Sequence, residues 1–176
     1  MPIIEPLSKD EISSPKLVKY LEMAEELQVP GPEFLRVLAH APNFAEAFFD
    51  AMRLALFQGR VDHKLKELIR IQLARKAGDA YFAGLRSKQA QDEGLTEELI
   101  EAACAEGFAD DDRFTDAEKW ALHYGYWMYR APETLDAAFY DKGRKYFDDA
   151  QIMELGGMIA VYYGMAVMMA SFRFEA

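Results

Sequence analysis

Asp79 and Arg86 are the two residues whose types and spacing most directly suggest chemistry. On a continuous helix, positions 79, 82, 83 and 86 share one face. Asp79 and Arg86 then project from the same side two turns, or ~10 Å, apart. Arg86 can lean toward the helix start, where Asp79 sits and where the dipole favours a carboxylate or a bound anion. A carboxylate and a guanidinium so placed can move a proton and clamp an anion. The bland alternatives are an N-cap for Asp79 and a structural ion bridge for Arg86. Phe82 between them makes the surroundings apolar, which raises the pKa of a nearby carboxyl. His123 and Tyr124 offer a second proton carrier and a pocket wall, within an aromatic stripe of Trp120, Tyr124, Trp127 and Met128 that also suits core or subunit contact.

Other chemistries lack their residues. His40, His63 and His123 are scattered, without HxxxH, HxxE or CxxC spacing, so no metal site is expected. The lone cysteine, Cys104, cannot form an internal disulfide. Asp110 to Asp112 read as a solvated loop, since the calcium-loop glycine and the twelfth-position glutamate are missing. Neither a phosphate loop, a serine-hydrolase elbow nor a dinucleotide fingerprint occurs, and no cofactor is expected.

The elements that position these residues all read as helical. Ser14-Pro15 opens an amphipathic helix that stops at the breaker cluster Val29-Pro30-Gly31-Pro32. A short helix spans Glu33 to Ala39, and Asn43 is expected to cap the next, which ends at Gly59. Asp62 caps the helix running to Gly78, and a further helix is predicted from Asp79 to about Gln91. Thr96 opens another, Thr115-x-x-Glu118 forms a capping box for the next, and Leu135 to Tyr146 is read as one more. Asp148 or Asp149 caps the long apolar helix whose core is residues 155–172. That run is long enough to tempt a transmembrane reading. Its small residues, the preceding Glu154 and the missing basic flank favour a buried helix of a bundle or oligomer. The fold class is all-α, in a single domain over 1–176, with an N-terminal extension at 1–35 and a core at 36–172.

Composition narrows the partners. The 176 residues are 51% hydrophobic, ample for one core, and carry a net charge of −10. A surface this acidic repels phosphate backbones and anionic lipid, so neither nucleic acid nor membrane is expected as a partner. No secretory signal is evident at the start, and a cytoplasmic location is the expectation.

The segment Glu67-Leu-Ile-Arg-Ile-Gln-Leu-Ala-Arg-Lys-Ala-Gly78-Asp79-Ala-Tyr81-Phe82, followed by GLTEELIEA, FTDAEKWALHYG and FDDAQIMELGGMIAVYYGMAV, resembles the carboxymuconolactone decarboxylase superfamily, with its AhpD-like alkylhydroperoxidase branch. The resemblance covers roughly residues 36–172 and implies an AhpD-like helical bundle. It maps the family's glutamate onto Glu67, the two redox cysteines onto Asp79 and Phe82, and the histidine onto Arg86; Tyr81 precedes the second cysteine position. Without either thiol, thiol peroxidase chemistry is excluded.

The resemblance then implies a cofactor-independent lyase, decarboxylase or isomerase acting on a small carboxylate, lactone or aromatic-derived substrate. In that reading Arg86, with Phe82 and Tyr124, holds the substrate, and Glu67 or Asp79 moves the proton with help from Tyr81 or His123. The alternative is a non-catalytic oligomeric module with a retired site. The family's habit also implies a homo-oligomer, from dimer to hexamer, formed through the last helix or the aromatic stripe.

Overall fold

A computed structural model of the chain describes residues 2–173. It is built from α-helices, with no strand among the described residues. In chain order they are α1 (Pro15–Leu27), α2 (Pro32–Leu38), α3 (Pro42–Phe57), α4 (His63–Ala77), α5 (Ala80–Gly84), α6 (Lys88–Asp92), α7 (Glu97–Cys104), α8 (Asp116–Met128), α9 (Ala137–Gly143) and α10 (Asp149–Ser171). Short polar residues start most of them. Ser14, Asp62, Thr96, Thr115 and Asp148 each accept a backbone N–H of the first turn, which satisfies donors that a helix leaves unpaired. α3 differs from expectation. It begins at Pro42, with Ala41 rather than Asn43 before it, because proline's fixed φ suits the first helical position.

The centre of the molecule is α4, which packs against α3, α5, α7, α8 and α10. It is enclosed so completely that its residues from Leu65 to Ala74 are all buried. Lys66, Glu67, Arg70 and Gln72 are among them, so these polar side chains must find partners inside the protein. Lys66 pairs with Glu154 of α10 and donates to the Gln58 carbonyl at 2.6 Å. Burial pushes the Glu154 carboxyl up, but the Lys66 ammonium and the N–H groups of Arg60 and Val61 outweigh it, and its pKa is lowered. Gly59 makes room for this contact. A Cβ there would lie 2.3 Å from the Glu154 carboxylate, and its φ of +100° suits glycine.

α10 is long and apolar enough to span a membrane by length and composition, and it is instead partly enclosed by α3, α4 and α8. Ile152, Leu155, Met158, Ile159, Tyr162, Met165 and Met169 form its buried stripe. Only 44% of its most apolar window is buried, so its outer side stays uncovered.

Candidate functional site

Glu67 and Arg70 stand one turn apart on α4 and form a two-pronged ion pair, Nε to Oε2 at 2.7 Å and Nη2 to Oε1 at 2.8 Å. Their side chains are 0% and 1% exposed. The remaining N–H groups of Arg70 cross to α5, donating to the carbonyls of Phe82 at 2.6 Å and Leu85 at 2.8 Å. These are carbonyls at the end of a short helix, which lack partners within it. The backbone N–H of Ser87 donates to Glu67 Oε1 at 2.8 Å. One bridge thus holds α4, the end of α5 and the start of α6 together. A buried charge pair of this kind survives its desolvation because hydrogen bonds saturate both partners.

The network continues to His63. Its Nδ1 lies 3.1 Å from the Leu56 carbonyl and its Nε2 2.7 Å from Ser87 Oγ. A carbonyl only accepts, so in the neutral ring Nδ1 carries the proton and Nε2 accepts the Ser87 hydroxyl. Such a Ser–His pair resembles an activated hydroxyl. Both side chains are buried, however, and Ser87 also accepts the Ala90 N–H as the cap of α6.

Asp79 caps α5, its carboxylate accepting N–H groups from Tyr81 at 3.1 Å and Phe82 at 3.2 Å. The residue is 1% exposed, and burial pushes its carboxyl up to about 6 against the pull of those two N–H groups and of Arg70. Tyr81 reaches away from Asp79 and accepts the Phe34 N–H at 3.1 Å. A Cβ on Gly31 would lie 2.0 Å from the Tyr81 hydroxyl, so only glycine fits beside it. Burial raises the Tyr81 phenol pKa. Phe82 is buried edge-on against Phe34, with ring centroids 5.0 Å apart.

Arg86 departs from the sequence expectation. α5 ends at Gly84, Leu85 is extended with φ −74° and ψ 147°, and Ser87 starts α6. The predicted continuous helix over 79–91 is therefore two short ones, and Arg86 does not share the face of Asp79. Its guanidinium pairs with Glu97 at 2.7 and 3.0 Å and donates to the carbonyls of Ala83 and Leu85. The cation beside Glu67 is Arg70, which the sequence reading passed over. The Glu67-x-x-Arg70 spacing was the available signal, because residues three apart on a helix meet.

His123 and Tyr124 lie on α8 and make no hydrogen bond or ion pair with Glu67 or Asp79. His123 is half-buried against the edge of Phe108, and burial and the Lys142 ammonium lower its pKa. Tyr124 is buried edge-on to Tyr140; burial and that neighbour raise its phenol pKa. Among the described residues no three His, Cys, Asp or Glu side chains cluster as a metal site requires. The structure thus brings Glu67, Asp79 and the Phe82 carbonyl to Arg70, sends the Tyr81 hydroxyl to α2, sets Arg86 on the far side of the shared Leu85 carbonyl with its charge on Glu97, and leaves His123 and Tyr124 on α8.

Two outcomes follow from this geometry. Glu67→Gln leaves Arg70 as a buried cation without its counter-charge and should cost about 3 to 5 kcal/mol in denaturant unfolding. The double change Glu67→Leu with Arg70→Met should recover much of that loss, whereas a single-variant loss under about 1 kcal/mol would remove the brace from this account. Asp79 sets a pH signature. Its folded pKa of about 6 exceeds the ordinary 3.8, so between these values the folded chain holds a proton that the unfolded chain releases. Stability should fall as pH rises through that window, by on the order of 2 kcal/mol, and Asp79→Asn, which keeps a capping oxygen, should flatten the slope. Denaturation midpoints from pH 4 to 7 measure this, and a slope unchanged in the variant would contradict it.

Comparisons with known proteins agree with this architecture. A comparison with functionally curated proteins found no match. The debrominase Bmp8, solved with 2,3,4-tribromopyrrole, superposes with a TM-score of 0.80 at 21% identity, covering 98% of this chain and 90% of that one. An uncharacterized peroxidase-related protein from Ralstonia eutropha JMP134, with an alkylhydroperoxidase AhpD core, gives 0.73 at 14% identity over 97% and 90%. A putative antioxidant defence protein AhpD from Agrobacterium tumefaciens gives 0.68 at 17% identity over 78% and 93%. At these identities the likeness is one of fold. Residues 42–125 match the model of the carboxymuconolactone decarboxylase family, and the fold is that of the AhpD-like structures.

Proposed function

We propose that this chain is an oligomeric member of the superfamily in which the reaction centre has become a structural brace. The observation that carries this reading is Arg70. Its guanidinium bridges Glu67, the Phe82 carbonyl and the Leu85 carbonyl, beside the positions where the resemblance maps the redox cysteines. Asp79 and Phe82 hold those positions without sulfur, each about 1% exposed. A buried carboxylate already shared between a guanidinium and a backbone N–H is poorly placed to act on a ligand.

The partner of this module is a second copy of the chain. The uncovered side of α10 presents Met153, 73% exposed, and Val167, 44% exposed; α3 adds Phe44 and Leu54. Apolar surface of this kind is usually an interface. A lyase, decarboxylase or isomerase acting on a small carboxylate or lactone is the second reading. One observation favours it: an Asp79 carboxyl whose pKa of about 6 suits proton transfer near neutrality.

Light scattering on the purified chain, with assays on lactones, hydroperoxides plus a dithiol, and bromopyrroles, separates the two. The expected result is an oligomer that Val167→Glu breaks into monomers, with no turnover above the blank. Turnover that Asp79→Asn abolishes in a folded protein would overturn the module reading in favour of acid–base catalysis. A monomer would overturn the assembly, and recovery only in the detergent fraction would turn α10 toward lipid.

A further inference from the structure

A cleft of about 260 Å³ opens between α8, α9 and the Phe108–Asp110 turn. It shares no lining residue with the Glu67 centre, and its chemistry is different. Half-buried Phe139 forms one wall, backed by the buried Trp120 ring stacked on it at 4.9 Å between ring centroids and 25° between planes. The Trp120 Nε1–H donates to the Phe139 carbonyl at 3.0 Å, which fixes the wall before any ligand arrives. Ala109 adds apolar surface opposite a polar rim. On that rim stand Lys119 and Lys142, neither with a carboxylate within 4.0 Å among the described residues, and a single carboxylate, Asp116. In a chain of net charge −10 the cleft is locally cationic. His123 lines it too, and its ring nitrogens make no hydrogen bond among the described residues, although the ring is half-buried.

An imidazole and two ammoniums that no protein group engages, gathered on one cleft with an aromatic wall, are free to exchange their water for the polar groups of a ligand. The volume admits one ring rather than a nucleotide. We propose that this cleft binds a small aromatic carboxylate. The carboxylate sits between Lys119 and Lys142, the ring lies along Phe139, and His123 hydrogen-bonds a polar ring substituent such as a phenolic hydroxyl. Asp116 at the rim repels a second carboxylate and makes the site select monoanions. This inference stands apart from the fate of the Glu67 centre, since it requires only binding.

Isothermal titration of the whole chain with 4-hydroxybenzoate tests it. The expected result is one site per chain, with neutral 4-hydroxybenzamide and dianionic phthalate each binding at least tenfold more weakly. Lys119→Gln and Lys142→Gln, both outside the core, should each weaken 4-hydroxybenzoate several-fold. His123→Phe should weaken 4-hydroxybenzoate while leaving unsubstituted benzoate unchanged. Absence of binding, or binding that both lysine variants leave intact, would overturn the proposal.

Discussion

The buried pairing of Glu67 with Arg70 is the constraint on which the rest of the centre depends. Moving a guanidinium and a carboxylate out of water costs several kcal/mol per ion unless both are fully hydrogen-bonded. Here the cost is met by bonds that also do topological service. The same guanidinium that neutralises Glu67 accounts for carbonyls left over at the end of α5, and the same carboxylate receives the first N–H of the turn into α6. Helices of five residues have little stability of their own. α5 and α6 hold their shape because a charge on α4 saturates their ends.

From that point outward the structure repeats one device, a polar side chain on a buried helix reaching a backbone group or an opposite charge on a neighbour. Lys66 does this toward α10 through Glu154, Gln72 toward the Ala103 carbonyl of α7, and Tyr81 toward the Phe34 N–H of α2. The N-terminal helices are therefore tied to the centre through Tyr81 and Gly31. α10 is tied through its charged first turns and its apolar inner stripe, while its outer side stays uncovered.

The helix starts were legible in the sequence because capping is local. Ser14, Asp62, Thr96, Thr115 and Asp148 announce themselves within four residues, and the structure places a cap at each. The all-α class and the AhpD-like fold were legible for the same reason, from helical spacing and a contiguous segment around Gly78. The break at Leu85 was read through, although Gly84 stands just before it: a lone glycine is tolerated inside a helix, and Ser87 reads equally well as a helical residue or as a cap. Arg70 was hidden by α4 itself. On an amphipathic helix an arginine belongs to the wet face, but a helix buried all round has no such face, and its charges must be read as partners of one another. Arg86, at the family's histidine position, drew attention by its place in the motif, whereas the extended residue before it directs it to Glu97.

The claim that this centre is a closed brace meets its most direct test in amide hydrogen exchange at Ser87. Its N–H points at Glu67 from the junction of two very short helices, where an open active-site loop would exchange quickly. The account predicts protection near the global unfolding free energy, equal to that of the buried amides of α4. Exchange at rates of a fraying loop, with α4 still protected, would show that the centre opens to solvent and would contradict the brace.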